Sequence, residues 1–211
     1  EAAQCDIVVI AAGSKTITGK KPVKSFSTKI SLIRSIIQAM RPFRSDTILI
    51  IVANAVDLLT SLAQRISGLP ACQVLGLGTF LDSVRHREMV ADIPTDFQLD
   101  TISVNSYILG LHGEDHVVAW STATISEAPK EKLLLANRLN RNELADKCQS
   151  RSQTIIRAKG IRTVVANICL SIFLDKSDVS PVSHYQPDLS SCFSMPAAIG
   201  RKGIISTQNI I

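Results

Sequence analysis

The alternation of apolar and polar positions over the first 77 residues predicts short buried strands separated by amphipathic helices. Continuous short apolar runs indicate buried strands, and apolar residues three or four positions apart indicate one face of a helix. This order is typical of a doubly wound parallel sheet, and the segment is interpreted as the second half of one. The predicted strands cover 5–11, 47–53 and 72–76, the predicted helices cover 26–41 and 57–67, and residues 12–24 are predicted to form a loop.

The pattern changes near residue 77, where longer helices and turn-bounded strands replace the regular alternation. This change predicts an α+β segment and places a domain boundary that divides the chain into 1–77 and 78–211. The predicted elements of the second part are helices over 79–91, 140–158 and 161–174, a β-hairpin near 100–119, and strands over 179–187, 190–194 and 203–207.

Composition indicates a globular protein, because 45% of the residues are hydrophobic and 19% are charged. The longest apolar run, 48–53, is too short to cross a bilayer, and the first residues do not have the pattern of a signal peptide. The five cysteines are odd in number and lack zinc or C-x-x-C spacing, which favours reduced thiols in a cytoplasmic protein.

The net charge of +5 is mild, and its densest cluster is a group of lysines between residues 15 and 29. No aromatic stacking pattern or nucleic-acid reader motif accompanies these lysines, so a solvated surface is favoured over nucleic-acid binding. A membrane partner is not expected either.

Asp82, Arg85 and His112 carry the most informative chemistry of the chain. Asp82 and Arg85 are three residues apart in a predicted helix, so they point to one face. His112 follows a β-like run, and Gly110 and Gly113 on either side predict a turn that leaves the imidazole at a strand tip. A carboxylate that holds an imidazole makes an acid/base pair, and a guanidinium binds a carboxylate with two hydrogen bonds. Together they predict a site that reduces the ketone of a small carboxylate.

Seven blocks of the sequence, in order, resemble NAD-dependent L-lactate dehydrogenases of the lactate/malate dehydrogenase family. The resemblance implies a partial Rossmann-type NAD-binding domain over 1–77, followed by an α+β substrate-binding domain over 78–211. It also implies pyruvate and lactate as substrates, NAD as cofactor, and a homo-oligomer of two or four subunits. The blocks are residues 6–13, 52–60, 67–70, 76–87, 110–121, 156–160 and 195–204.

The resemblance also implies a role for each candidate residue. His112 would exchange the proton with the substrate, Asp82 would accept the imidazole N–H, and Arg85 would hold the substrate carboxylate. Asn54 would contact both the nicotinamide amide and the substrate oxygen, and the cofactor-binding residues would be Gly13, Val52 and Asn54.

Simpler interpretations of the same residues stay open. His112 is also compatible with an ordinary turn histidine, Asp82 with a carboxylate in the first turn of a helix, Arg85 with a surface arginine, and Asn54 with a helix cap. His112 and His116 have a spacing that some zinc sites use on helices. Gly113 breaks that helix, however, and no third distant ligand is evident, so no metal is expected.

Several positions depart from the family pattern. The chain contains no Gly-x-Gly-x-x-Gly loop for a dinucleotide, since Leu81 stands where the third glycine of 76–81 would be. Pro22 occupies the place of the mobile-loop arginine that polarises the substrate carbonyl, Leu111 replaces the glutamate before the histidine, and the register of Arg162 and Thr163 is uncertain.

These departures predict a fragment that begins after the family's glycine loop and stops before its final helix, with impaired turnover and weak NADH binding. An unpaired apolar edge at residues 7–10 predicts poor solubility. A malate dehydrogenase of the same superfamily, or a non-catalytic homologue that acts through protein association, is the alternative.

Overall fold

The computed structural model describes residues 4–12, 22–91, 104–113, 116–125 and 157–208. Within these residues, parallel strands alternate with helices first, and antiparallel strands follow. The helices are α1 (Pro22–Met40), α2 (Val56–Ser67), α3 (Phe80–Ala91) and α4 (Arg157–Phe173). The strands are β1 (Ile7–Ile10), β2 (Ile48–Ile51), β3 (Val74–Gly76), β4 (Val104–Asn105), β5 (Ile108–Gly110), β6 (His116–Val118), β7 (Thr124–Ile125), β8 (Asp178–Gln186), β9 (Ser191–Gly200) and β10 (Gly203–Thr207).

One eight-stranded sheet runs through the described residues in the order β1-β2-β3-β8-β9-β5-β6, with β10 paired to β9. Strands β1, β2 and β3 are parallel, which confirms the parallel half-sheet predicted from the sequence. On the other side, β3 pairs antiparallel with β8, so the parallel part continues directly into an antiparallel part. Because β3 is fully buried, its second edge needs a hydrogen-bonding partner, and β8 provides it.

Helices α1, α2 and α4 cover the sheet with one apolar face each. Residues Ile33 and Ile37 of α1 and Ala63 of α2 are fully buried in the same core cluster as strand β2, whose four side chains are also buried. In α4, Val164, Ile168 and Ile172 form a buried stripe with helical spacing. The core therefore includes elements from both parts of the chain, and it fixes the position of the strand ends that carry the candidate site.

Two boundary predictions were wrong. Residues 12–24 were predicted as a loop, but α1 already begins at Pro22, since proline is favoured in the first turn of a helix, where its missing N–H is not needed. The strand predicted over 190–194 is β9, which continues to Gly200. Pro196 does not end it, because Pro196 lies opposite Pro181 in β8 and the two missing donors fall at one rung of the ladder.

The other predicted elements agree with the structure to within a few residues, apart from the helix over 140–158, which lies almost entirely outside the described residues. Helix α4 begins at Arg157, earlier than the predicted 161. Gly76 ends β3 and Phe80 begins α3, so the predicted domain boundary at residue 77 falls in the connection between them and stays a prediction. None of the helices in the described part of the chain is both long and apolar enough to cross a membrane.

Candidate active site

His112 lies in the turn between β5 and β6, as its neighbouring glycines predict. Gly110 and Gly113 have φ angles of 97° and 127°, which side chains other than glycine rarely adopt. The two strands pair antiparallel from Ile108 to Gly110, so the hairpin holds the histidine at its tip.

Helix α3 supplies the two charged partners of this histidine. Asp82 is only 4% exposed, and its Oδ2 lies 2.6 Å from His112 Nδ1. The Nη1 atom of Arg85 lies 3.8 Å from the other oxygen, Asp82 Oδ1, across one helical turn. Asp82 and Arg85 therefore share a face of α3, as predicted, and Asp82 contacts the imidazole.

A cavity of about 210 Å³ lies in front of this group, at the carboxyl ends of β2 and β3. It is smaller than the roughly 300–1,000 Å³ of pockets for drug-sized ligands, so it suits a small molecule. Its lining residues are Val52, Ala53, Asn54, Val56, Leu77, Gly78, Leu81, Arg85, His112 and Ile161. Val52, Asn54, Arg85 and His112 therefore meet at one cavity, whereas Asp82 is not among the lining residues and contacts His112.

His112 also borders a larger cavity of about 650 Å³, formed with residues of α1 and α2. Arg34 and Arg65 line this second cavity, but Asn54 and Arg85 do not. Because an amide, a guanidinium and an imidazole converge only on the smaller of the two cavities, the smaller one is the candidate active site.

Asp57 is a part of the site that sequence reasoning missed. It lies in the first turn of α2, is 6% exposed, and its Oδ2 accepts the backbone N–H of His112 at 2.8 Å. Burial raises the pKa of this carboxyl, because removal from water disfavours its charge. An acidic residue three positions after Asn54 was the available signal, but nothing in the sequence connects it to a turn 55 residues away.

The start of α4 completes the wall of the cavity. Ile161 lies three residues before the buried stripe of α4, and this partly buried side chain lines the cavity. A Cβ atom on Gly160 would lie 2.7 Å from Leu81 Cδ1, so α4 and α3 are in close contact here. Arg162 and Thr163 are exposed on α4, and their register relative to the family pattern stays a prediction.

The remaining candidate positions stand as follows. Gly13 and the mobile-loop residues 19–21 lie outside the described residues, and Pro22 is the first residue of α1. His116 Nδ1 lies 2.7 Å from the carbonyl oxygen of Gly113.

Among the residues that the structure describes, no three His, Cys, Asp or Glu side chains are grouped to hold a metal ion. None of the described cysteines, Cys5, Cys72, Cys169 and Cys192, forms a disulfide.

Comparisons with known proteins agree with the resemblance seen in the sequence. Residues 1–76 match the lactate/malate dehydrogenase NAD binding domain, and residues 79–211 match the lactate/malate dehydrogenase alpha/beta C-terminal domain. The chain is 36% identical over 209 residues to L-lactate dehydrogenase A of Rhizopus oryzae, and 30% identical over 224 residues to L-lactate dehydrogenase of Acetivibrio thermocellus.

These alignments cover 97% and 100% of this chain but 64% and 70% of the two relatives, so the chain spans about two thirds of their length. Among solved structures, the minor L-lactate dehydrogenase of Enterococcus mundtii in its ligands-bound form superposes with a TM-score of 0.85. That superposition has 29% sequence identity and covers 98% of this chain and 69% of the other.

Proposed function

Because the chain belongs to the lactate/malate dehydrogenase family, we propose that its site interconverts pyruvate and L-lactate with NADH and NAD as the hydride carriers. The observation that supports this most directly is the contact of His112 with the buried Asp82, beside Arg85 and at the wall of a small cavity. An acid/base group and a carboxylate-binding group in one cavity are what this reaction requires of the protein.

Arg85 binds the substrate carboxylate, since its guanidinium offers two parallel N–H donors that a lysine does not. Asp82 contacts Nδ1 of His112, so the proton exchange with the substrate oxygen is assigned to Nε2. The negative charge of Asp82 stabilises the imidazolium form, from which the proton passes to the ketone oxygen of pyruvate. In the reverse direction the neutral imidazole accepts the hydroxyl proton of lactate.

The residues at the strand ends fit the nicotinamide end of the cofactor. Val52 and Asn54 line the cavity just after β2, at the edge of the parallel strands where open α/β sheets bind ligands. Asn54 carries an amide that pairs with another amide, and Val52 offers an apolar surface for a ring. When bound, NADH supplies the hydride, and the protein positions the substrate beside it.

The apolar wall favours lactate over malate as the product. Leu77, Leu81 and Ile161 line the cavity, and none of them pairs with a second carboxylate. A methyl group fits this wall, whereas the charged end of oxaloacetate would lose its hydration without gaining a partner there. A small 2-oxo monocarboxylate is therefore the proposed substrate. From its family, the protein is also proposed to be a cytoplasmic homo-oligomer.

Turnover by this chain is proposed to be slow. Pro22 stands where the family has the arginine of the mobile loop, and a lost transition-state cation commonly lowers the rate by about 10²–10³-fold. The same substitution favours the second candidate function, a homologue that binds ligand and partners with little catalysis.

Binding of oxamate, an unreactive pyruvate analogue, in the presence of NADH tests the proposal on the 211-residue chain by ligand-detected NMR. Arg85→Lys is expected to weaken oxamate binding by about ten-fold or more, since the paired hydrogen bonds are lost. Arg65→Lys is the matched control, because Arg65 lines only the larger cavity, and it should leave binding unchanged. Equal effects of the two variants, or undetectable binding to the unmodified chain, would contradict the proposed site.

A further inference from the structure

A second histidine on α3 lies outside the cavity and has no role in the reaction described above. His86 is fully buried, one helical turn after Asp82 and next to Arg85. Its Nδ1 lies 2.9 Å from the hydroxyl of Ser106, which comes just before β5. Its ring meets the ring of Trp120 edge-on, with 5.3 Å between centroids and 71° between planes.

His86 is part of the contact that joins α3 to β5. The N–H of Ile108 donates to Ser83 Oγ at 2.9 Å, and the Ile108 carbonyl accepts a hydrogen bond from Thr79. One turn further along the helix, His86 contacts Ser106. Helix α3 therefore contacts the segment that leads into β5 at two successive places, and of these two contacts only the one through His86 includes an ionisable side chain, whose ordinary pKa lies near neutral pH.

The surroundings of His86 accept a neutral ring but oppose a charged one. Its Nε2 is buried and has no hydrogen-bond partner among the described residues. A small apolar cluster of Met89, Ile108, Val118 and Trp120 packs beside it. Among the described residues, the charged or titratable groups that act on it are Arg87 of the same helix and His116 of β6, and both oppose a positive charge.

We propose that His86 is a positioning residue, which keeps Asp82 and Arg85 against His112 only while its imidazole is neutral. The reasoning is geometric: α3 carries Asp82 and Arg85, the hairpin that begins at β5 carries His112, and His86 bridges the two through Ser106 and Trp120. A proton on the ring would place an unpaired charge in an apolar cluster, and opening the contact between α3 and β5 relieves that penalty. This inference rests on the proposed function only in taking His112 and Asp82 as the reactive pair.

The pH range of this effect follows from the direction of the shift. Burial, followed by Arg87 and His116, lowers the pKa of His86 from 6.5 to about 4. A histidine with a lowered pKa in the closed state is protonated more readily when the contact opens. The closed arrangement is therefore fully favoured above pH 6.5, and it is lost progressively as the pH falls from 6.5 towards about 4.

The chain offers a direct probe, because Trp120 is its single tryptophan and contacts His86. Trp120 fluorescence, the amide resonance of Ile108 and the downfield N–H resonance of His112 are followed from pH 8 to pH 4 on the 211-residue chain. All three are expected to change with one midpoint between pH 4 and 6.5, while far-ultraviolet circular dichroism stays constant. None of these measurements needs turnover, so their outcome is separate from that of the oxamate experiment.

His86→Phe keeps an aromatic ring and cannot be protonated, so the joint change should disappear or move down by about one pH unit or more. His86→Gln, which keeps a hydrogen-bonding group for Ser106, is the second variant and should behave alike. His184→Gln is the matched control, because His184 is also buried with its pKa lowered by burial but lies on β8, bonded to Thr207.

Three outcomes would overturn the proposal. The first is an unchanged Trp120 midpoint in both His86 variants, since another group would then cause the transition. The second is a Trp120 change without loss of the His112 N–H resonance, because the cluster would then not position the reactive pair. The third is an equal shift in His184→Gln, or a parallel loss of helix signal, since either would indicate general acid unfolding.

Discussion

Asp82 and Asp57 hold His112 through different atoms and from different elements. Asp82 of α3 contacts the imidazole, and Asp57 of α2 accepts the backbone N–H of the same residue. The first contact sets the orientation of the ring, whereas the second fixes the turn that carries it. Since α2 begins at Val56, two residues after Asn54, Asp57 also ties the histidine turn to the strand end where the nicotinamide is proposed to bind.

Replacement of Asp57 tests this structural role. Asp57→Ala leaves the partly buried His112 N–H without its acceptor and is expected to lower the free energy of unfolding by about 1–3 kcal/mol. Asp57→Asn keeps an oxygen acceptor and removes the charge, so its loss should be smaller. Urea unfolding monitored by circular dichroism measures both.

The charge of Asp57 makes this difference depend on pH. Burial raises the pKa of the carboxyl in the folded chain, so the unfolded chain releases the proton more readily. The stability from the neutral carboxyl is fully present below the unfolded pKa, about 3.9, and is lost as the pH rises through the folded value. Relative to the unmodified chain, Asp57→Asn should therefore gain stability between pH 4 and pH 7. If the difference in unfolding free energy between Asp57→Asn and the unmodified chain stayed constant over that range, this prediction would be wrong.

Sequence reasoning reached the residues that lie close together along the chain. Asp82 and Arg85 were predicted to share a face because helical spacing alone decides it, and the turn at His112 was predicted because Gly110 and Gly113 mark it. Asp57 was missed because its partner lies 55 residues away, and His86 because a single histidine in a helix gives no indication of burial.

Among the elements, the connection from β3 to α3 is the most constrained. Gly78 lies in this connection with a φ of 53°, and a Cβ atom there would lie 2.6 Å from the backbone nitrogen of Ser183 and would also overlap Ser194 Oγ. Helix α3 can therefore begin at the floor of the cavity only because the connection passes directly against β8 and β9.

Gly78→Ala should lower the free energy of unfolding by about 2–4 kcal/mol, the sum of left-handed strain and overpacking. Gly68→Ala is the matched control, since Gly68 has a φ of 81° but meets only the flexible end of Arg41, at 3.4 Å. It carries the strain without the overlap and should lose only about 1–2 kcal/mol. Chemical denaturation of both variants measures these losses. Equal losses of unfolding free energy would show that the overlap with β8 adds nothing to the backbone strain.

Element types were easier to predict than element ends. Helices and strands of the first part follow from their apolar spacing, whereas the start of α1 at Pro22 and the length of β9 depend on how proline is accommodated in a helix start and at a paired rung. The second of these needs the register between β8 and β9, and that register is a tertiary property that local pattern does not contain.

Over the whole molecule, the parallel strands were predicted, but their continuation into the antiparallel strands was not. The pairing of Leu75 with His184 joins the two parts across more than a hundred residues, and it depends on β3 needing a partner on both edges. At the opposite end of the sheet, β1 pairs with β2 on one side only within the described residues. Val8 and Ile10 are buried there, while Val9 is 39% exposed.

This edge leads to a prediction about association. An exposed apolar edge strand pairs readily with other strands, so the chain should self-associate through β1. Val9→Lys places a charge at the exposed position of β1. It is expected to raise the highest concentration at which the chain remains monomeric, without lowering its unfolding free energy. Leu189→Lys is the matched control, since Leu189 is 67% exposed in a short helical turn rather than a strand. Light scattering and analytical ultracentrifugation compare the three proteins. If both lysine variants improve solubility equally, added charge alone accounts for the effect; if only Val9→Lys does, association occurs through the edge of β1.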